Sequence, residues 1–261
     1  GGNKTRQKNL TSLLPIEKPM AFLPLLKTES ETLPQKILVV GDPKRLDLVA
    51  EILKDVEPIS QNREYHSIRG SFNGQLIGAV SHGVGSAGAG VCFEELCQSG
   101  ATRIVRAGSA GGMQANVSAG DLVIASAAVR EEGLSHKLVP PTYPAVATPD
   151  ILIAMRARAT DHGLEFHEGL LLTSDMFYPH DLLGSDLPLW QKAGVKAVEM
   201  EVATLFVICG LHNVETGAIV AIDGNPLEQD NGSMDTYDPH QEKIKTAVSN
   251  SLLIALTALV S

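Results

Sequence analysis

Residues 81–112 constrain the fold more than any other part of the chain, reading SHGVGSAGAG, VCFEELCQSG and ATRIVRAGSAGG. An apolar run ends in a glycine-rich turn, a helical stretch follows, and a second apolar run ends in a second glycine-rich turn. Two strands joined by one short helical crossover run parallel, which lays the helix on a face of the sheet and makes the chain α/β. Gly83, Gly85 and Gly88 let backbone N–H groups converge on an anion at the start of that helix, where the positive end of its dipole also points. Arg106 and Ser109 stand in the second turn, a planar guanidinium followed three residues later by a small hydroxyl on glycine-flanked backbone. Such an arrangement suits a phosphate cradle open to a substrate.

The same glycines satisfy Gly-x-Gly-x-x-Gly, the dinucleotide-binding fingerprint, with a strand before and a helix after. A nicotinamide enzyme therefore competes with the phosphate cradle. Against it, the strand after the helix ends in Arg106 where an acidic partner for the ribose is expected, although an NADP enzyme can use that arginine. Close packing of helix on strand also explains the glycines without any ligand. The helix, residues 87–98, is expected to turn Val91, Leu96 and Cys97 inward and Glu94 and Glu95 outward, and Ser99-Gly100 ends it.

Composition narrows the partners. With 261 residues and 44% hydrophobic content the chain is long enough for one large α/β domain with a substantial core, and a second domain is not required. A net charge of −9 argues against nucleic acid or an anionic membrane as the main partner, so any anion must be bound locally. Cys92, Cys97 and Cys209 lie in apolar helical contexts without metal-ligand spacing, and are expected as reduced thiols in a cytosol-like compartment. No apolar run is read as long enough to cross a bilayer and no signal-like segment is found, so the expected location is cytoplasmic.

Taken in order, residues 1–34 lack clean periodicity apart from the apolar patch 20–26, and read as a partly ordered arm able to pack on a neighbour. KILVV is a buried strand in composition. Asp42 then stands where an N-cap belongs and Pro43 at the first helical position, so a helix RLDLVAEILKD starts there with Arg45 in its first turn. A cation there opposes the dipole unless an anion joins it. Asn73-Gly74 between alternating runs marks a hairpin. A further strand begins near Gly120, a helix covers residues 149–162, and a strand at 168–174 runs into Asp175-Met176-Phe177-Tyr178-Pro179. Those two aromatics either wall a planar ligand or belong to the core. A short strand at 194–198 leads through Glu199-Met200-Glu201 into the apolar helix VATLFVICGL. Alternation puts carboxylates two residues apart on opposite sides, so at most one is expected to face a site. GAIVAID delivers Asp223 ahead of Gly224-Asn225-Pro226, residues 227–238 form either a lid or a plain connection, and an amphipathic helix over 240–260 closes the chain. Asp42, Arg106, Glu199 and Asp223 all fall at carboxyl ends of strands, where open α/β sheets gather ligands.

A series of ordered motifs adds a resemblance: Gly41-Asp42-Pro43-x-Arg45, Asn62-Arg63-Glu64-Tyr65, Ser81-His82-Gly83-Val84-Gly85, Arg106-Ala107-Gly108-Ser109-x-Gly111, Ser174-Asp175-x-Phe177-Tyr178, Glu199-Met200-Glu201 and Val220-Ala221-Ile222-Asp223-Gly224. From about Lys36 onward the chain resembles the nucleoside phosphorylase family, whose members include purine nucleoside and uridine phosphorylases. The resemblance implies one catalytic domain over residues 35–261, a mixed central sheet flanked by helices. It implies phosphorolysis, in which a nucleoside and inorganic phosphate give a free base and ribose 1-phosphate, with phosphate a substrate and neither metal nor organic cofactor required.

By the same resemblance Gly41, Arg45, Arg106 and Ser109 bind phosphate, with Arg63 supplied by the adjacent subunit. Glu201 takes the ribose hydroxyls, Met200 packs on the sugar and Glu199 lies close by. Val84 and Phe177 line the ribose and base pockets, and Pro226 borders the base. Asp223 protonates or hydrogen-bonds N7 of a departing purine, which requires a pKa raised by partial burial. A homo-oligomer built from dimers, up to a hexamer, is implied. Uridine phosphorylases of the family read uracil with a Gln-x-Arg pair where this chain carries Asp181 and Leu183, so purine nucleosides such as inosine and guanosine are favoured. The arginine that bacterial purine enzymes pair with their acid has no clear counterpart after Asp223. The N-terminal histidine that reaches a neighbour's 5′-hydroxyl is absent, since residues 1–40 contain no His. Uridine phosphorolysis, an NAD(P)-dependent oxidoreductase and non-catalytic binding of phosphate or nucleoside stand as the rival readings.

Overall fold

The computed structural model describes residues 21–227 and 241–261. Its first part holds β1 (Phe22–Leu23), β2 (Thr28–Glu29), β3 (Lys36–Val40), α1 (Arg45–Ile52), β4 (Lys54–Asn62), β5 (Tyr65–Phe72), β6 (Gln75–Ser81), α2 (Ser86–Gln98) and β7 (Arg103–Gly112). There follow β8 (Leu122–Glu131), α3 (Gly133–Leu138), β9 (Ala145–Val146), α4 (Pro149–Asp161), β10 (His167–Ser174), α5 (Leu187–Lys192), β11 (Ala197–Glu199), α6 (Val202–His212), β12 (Glu215–Gly224) and α7 (Glu242–Val260). Apart from the β1–β2 hairpin the strands form one mixed sheet in the order β11-β10-β8-β12-β7-β3-β6-β5-β4, with β9 beside β8. The chain is thus a single α/β domain, as its alternating strand and helix patterns predict.

β7 organises the sheet. Along one side it runs parallel to β12 over nearly its whole length. On the other, Arg103 to Arg106 pair in parallel with Lys36 to Val39 of β3, whereas Gly111 and Gly112 pair antiparallel with β11. The strand therefore forks between Arg106 and Gly111, and the β11 pairing closes β7, β12, β8, β10 and β11 into a ring. The sequence reading ended this strand at a second glycine-rich turn after Arg106. Instead the small residues stay extended, paired with β12 and β11, and glycine is needed at position 112, where an added Cβ would meet the Val117 carbonyl oxygen at 2.5 Å. Parallel pairing around α2 holds as expected, with β3 lying between β6 and β7.

Apolar clusters fill both faces. Phe93 of α2 and Phe206 of α6 lie in one, with α1, α4 and α7 supplying Val49, Met155, Leu252 and Leu256 to the other. α7 is long and apolar enough by composition to cross a membrane, unlike the sequence reading, but it lies against β7, β12 and α4 and its apolar residues are buried there. Asn73 and Gly74 both adopt positive φ, 48° and 77°, giving the two-residue turn expected between β5 and β6.

Several local expectations are corrected. Asp42 Oδ1 accepts from the Lys44 N–H at 2.9 Å, so a tight turn precedes α1 and the helix begins at Arg45 rather than Pro43. It also ends at Ile52, since Lys54 already pairs with Ser71 in the β4–β5 ladder. In α2, Val91 faces outward and Glu95 inward. The Glu95 carboxylate accepts from the N–H groups of Leu25 and Leu26 at 2.9 and 2.8 Å, while Leu23 and Leu26 are buried in the core. Residues 21–34 of the predicted arm accordingly rest on the chain's own core; residues 1–20 lie outside the described residues, as do residues 228–240 of the predicted lid or connection.

Candidate active site

Arg106 comes from the fork in β7 and is buried, which an unpaired cation would not tolerate. Its side chain curls over Gly108, where an added Cβ would sit 2.7 Å from the guanidinium carbon. Nη2 donates to Glu201 Oε2 at 2.6 Å and lies 3.4 Å from Glu199 Oε2. Nη1 donates to His82 Nε2 at 2.9 Å, and Nε has no hydrogen-bond partner among the described residues.

The two carboxylates have separate duties. Glu199 ends β11 and accepts from Thr173 Oγ1 at 2.6 Å, from the Glu201 N–H at 2.8 Å and from the Val202 N–H at 3.0 Å. It so satisfies the first amides of α6, which have no acceptor within the helix. Burial pushes its pKa up, Arg106 opposes that and Glu201 adds to it. Glu201 Oε1 accepts from the Gly85 N–H at 2.7 Å, and Ser86 Oγ donates to the Met200 carbonyl at 2.6 Å, tying the N-termini of α2 and α6 together. Strict alternation would have sent the carboxylates apart. The chain instead bends between β11 and α6, with Glu201 at φ −141° and ψ −18°, and both converge on Arg106.

The glycine turn behaves partly as expected. Gly83 and Gly85 have φ of 75° and 90°, which glycine adopts without steric cost. The anion met by the Gly85 amide is the chain's own Glu201, so a dinucleotide pyrophosphate would have to displace that carboxylate. Gly88 lies inside α2, and its carbonyl accepts from the Tyr65 hydroxyl at 2.9 Å.

Of the other predicted phosphate ligands, Gly41, Arg45 and Ser109 gather at the same fork and Arg63 does not. Arg45 Nη2 donates to Ser109 Oγ at 3.0 Å. A Cβ on Gly41 would lie 3.6 Å from the Gly83 carbonyl oxygen and 3.8 Å from Arg106 Nη1. Asp223 is half-buried near the end of β12, beside Gly224, which pairs with Gly111. Pro226 follows so closely that a Cβ on Gly111 would meet its Cδ at 2.9 Å. Phe177 and Tyr178 meet edge to face at 4.9 Å and are exposed, as is Val84. Arg63 stands exposed at a left-handed turn with φ of 54°, and its guanidinium is bonded to none of the cradle residues. Among the described residues no group of His, Cys, Asp and Glu is arranged to hold a metal. His82 and Thr173 were missed as site residues. Ser81-His82-Gly83 carried a signal for the first, but Thr173 meets Glu199 only through the β10–β11 pairing.

Fold and site together define an α/β protein with a buried arginine held between two carboxylates and a histidine. A family model described as "Phosphorylase superfamily" matches residues 35–261, and the chain belongs to that family. It is 42% identical over 235 residues to a purine nucleoside phosphorylase of Plasmodium falciparum, covering 89% of this chain and 94% of that one. Identity to a uridine phosphorylase of Haemophilus influenzae is 33% over 233 residues, covering 85% and 90%. Among solved structures, the purine nucleoside phosphorylase of Toxoplasma gondii in complex with immucillin-H superposes with a TM-score of 0.87 at 33% identity, covering 92% of this chain and 96% of that one.

Proposed function

We propose that the chain catalyses phosphorolysis of purine nucleosides, yielding the free base and ribose 1-phosphate. The observation that carries this reading is the contact between Arg106 and Glu201, 2.6 Å apart, which sets an anion-binding guanidinium against a hydroxyl-binding carboxylate. Phosphate enters beside Gly41, Arg45, Ser109 and Arg106, with Arg63 reaching in from a second subunit. Glu201 accepts hydrogen bonds from the ribose hydroxyls, Met200 packs on the sugar, and Glu199 holds the start of α6 rather than touching substrate. As the glycosidic bond breaks, the sugar becomes oxocarbenium-like, a phosphate oxygen attacks C1′, and the base nitrogen takes the bonding pair. The dianion offsets positive charge on the sugar while Asp223 delivers a proton to N7. Val84, Phe177 and Pro226 line the sugar and base.

Purine preference is supported by the higher identity to the Plasmodium enzyme and by exposed Asp181 and Leu183 where a uracil reader belongs. Phosphorolysis needs no metal or organic cofactor, phosphate itself being a substrate. The working unit is a homo-oligomer built from dimers, in the cytoplasm, where free Cys92, Cys97 and Cys209 stay reduced. Base release from inosine and uridine, each with and without phosphate, tests this. Phosphate-dependent release from inosine, with uridine much slower, is expected; release from neither returns weight to nicotinamide or binding-only roles.

A further inference from the structure

His82 is fully buried between the Phe93 ring, edge to face at 5.2 Å, and the Arg106 guanidinium. Its two nitrogens are bonded in ways that leave one protonation state. Nδ1 lies 2.9 Å from the Gly83 carbonyl oxygen, which only accepts, so Nδ1 carries the proton. Nε2 lies 2.9 Å from Arg106 Nη1, which only donates, so Nε2 offers its lone pair. The Nδ1 bond excludes the Nε2–H tautomer and the Nε2 bond excludes the charged ring, so together they leave the neutral Nδ1–H tautomer. Burial, then Arg106, push the ring away from its charged form, in agreement with that geometry. Arg106 is thereby held from two directions, by Glu201 on Nη2 and by His82 on Nη1.

We propose that His82 is a positioning residue, whose neutral Nε2 fixes the plane of the Arg106 guanidinium so that it meets phosphate and Glu201 together. This rests on the reading of Arg106 as a phosphate ligand. It separates from a merely structural role because the two nitrogens do different things. His82→Asn keeps an amide donor where Nδ1 bonds Gly83 but is too short to reach Arg106. His82→Gln carries an acceptor out to the position of Nε2. Steady-state kinetics with inosine and inorganic phosphate, with folding followed by circular dichroism, decide the matter. The expected result is a rise of about tenfold or more in the phosphate KM for His82→Asn, with the nucleoside KM moved much less, and recovery to within about threefold in His82→Gln. Equal phosphate KM values for the two variants, or a better one for His82→Asn, would overturn the proposal while leaving phosphorolysis intact. Wild-type base release that ignores phosphate would instead overturn the site reading and this proposal with it. If His82→Asn does not fold, His82→Gln decides: a phosphate KM raised about tenfold or more in that variant overturns the role given to Nε2.

Discussion

Gly108 has no side chain, and Arg106 occupies the room that this leaves. A Cβ there would lie 2.7 Å from the guanidinium carbon, so Gly108→Ala should fold but push Arg106 off Glu201, lowering kcat/KM at least about tenfold. For Asp223, Asp223→Ala is expected to lose about 10²-fold or more in kcat on inosine, and Asp223→Asn to lie between it and wild type, because the amide keeps a hydrogen bond without a proton to give. Full activity of Asp223→Ala would remove the acid from the mechanism. His82 also carries a pH signature. Burial, then Arg106 and Arg45, hold its folded pKa well below the ordinary 6.5. As pH falls below about 6.5 the unfolded chain takes up a proton that the folded chain refuses, so stability falls with pH until the folded pKa is passed. Urea unfolding between pH 7.5 and 5.5 should show a steeper loss for wild type than for His82→Gln. Arg45, Arg106, Ser109 and Glu201 were legible as residues because their motifs stand in order along the chain. Convergence of Glu199 with Glu201 was not, since it depends on a bend that no alternation pattern encodes.

α2, α4 and the β5–β6 hairpin could be placed directly because each ends at a glycine or polar turn, and β3 because its apolar run is buried on both faces, although the inward side of α2 was misread at Val91 and Glu95. The extended strand β4, the short α3 and the length of β7 were not legible. β4 exists by pairing with β5 despite Pro58 and two irregularities in register. α3 is capped by Glu132, accepting from the Ser135 N–H at 2.9 Å, and its flanking loop is gathered by Arg130 through carbonyls of Ser135, Pro140 and Tyr143. Its cause lies in a buried guanidinium outside the helix. Glu95 acts at this scale too, tying residues 21–34 to α2 through two backbone amides. Glu95→Ala should leave both amides without that acceptor, cost about 3 kcal/mol, and speed proteolytic cleavage within residues 21–34. An unchanged unfolding midpoint and cleavage rate would mean that Leu23 and Leu26 hold the segment alone.

For the whole molecule, the exposed position of Arg63 makes a test of assembly possible. If Arg63 completes a neighbour's site, Arg63→Ala and Arg106→Ala chains, each inactive alone, should regain about a quarter of wild-type activity when refolded together, since half of randomly mixed dimers hold one complete site of two. No recovery would return Arg63 to its own subunit. The ring that β7 closes with β11 has a different bearing, on self-association of the unwanted kind. Among the described residues β4 is the one long strand left with an open edge. Pro58 withholds a donor there, and the broken register at residues 54–57 and 58–60 spoils a straight ladder. A polymer growing strand upon strand would find no clean template along the open edge of β4.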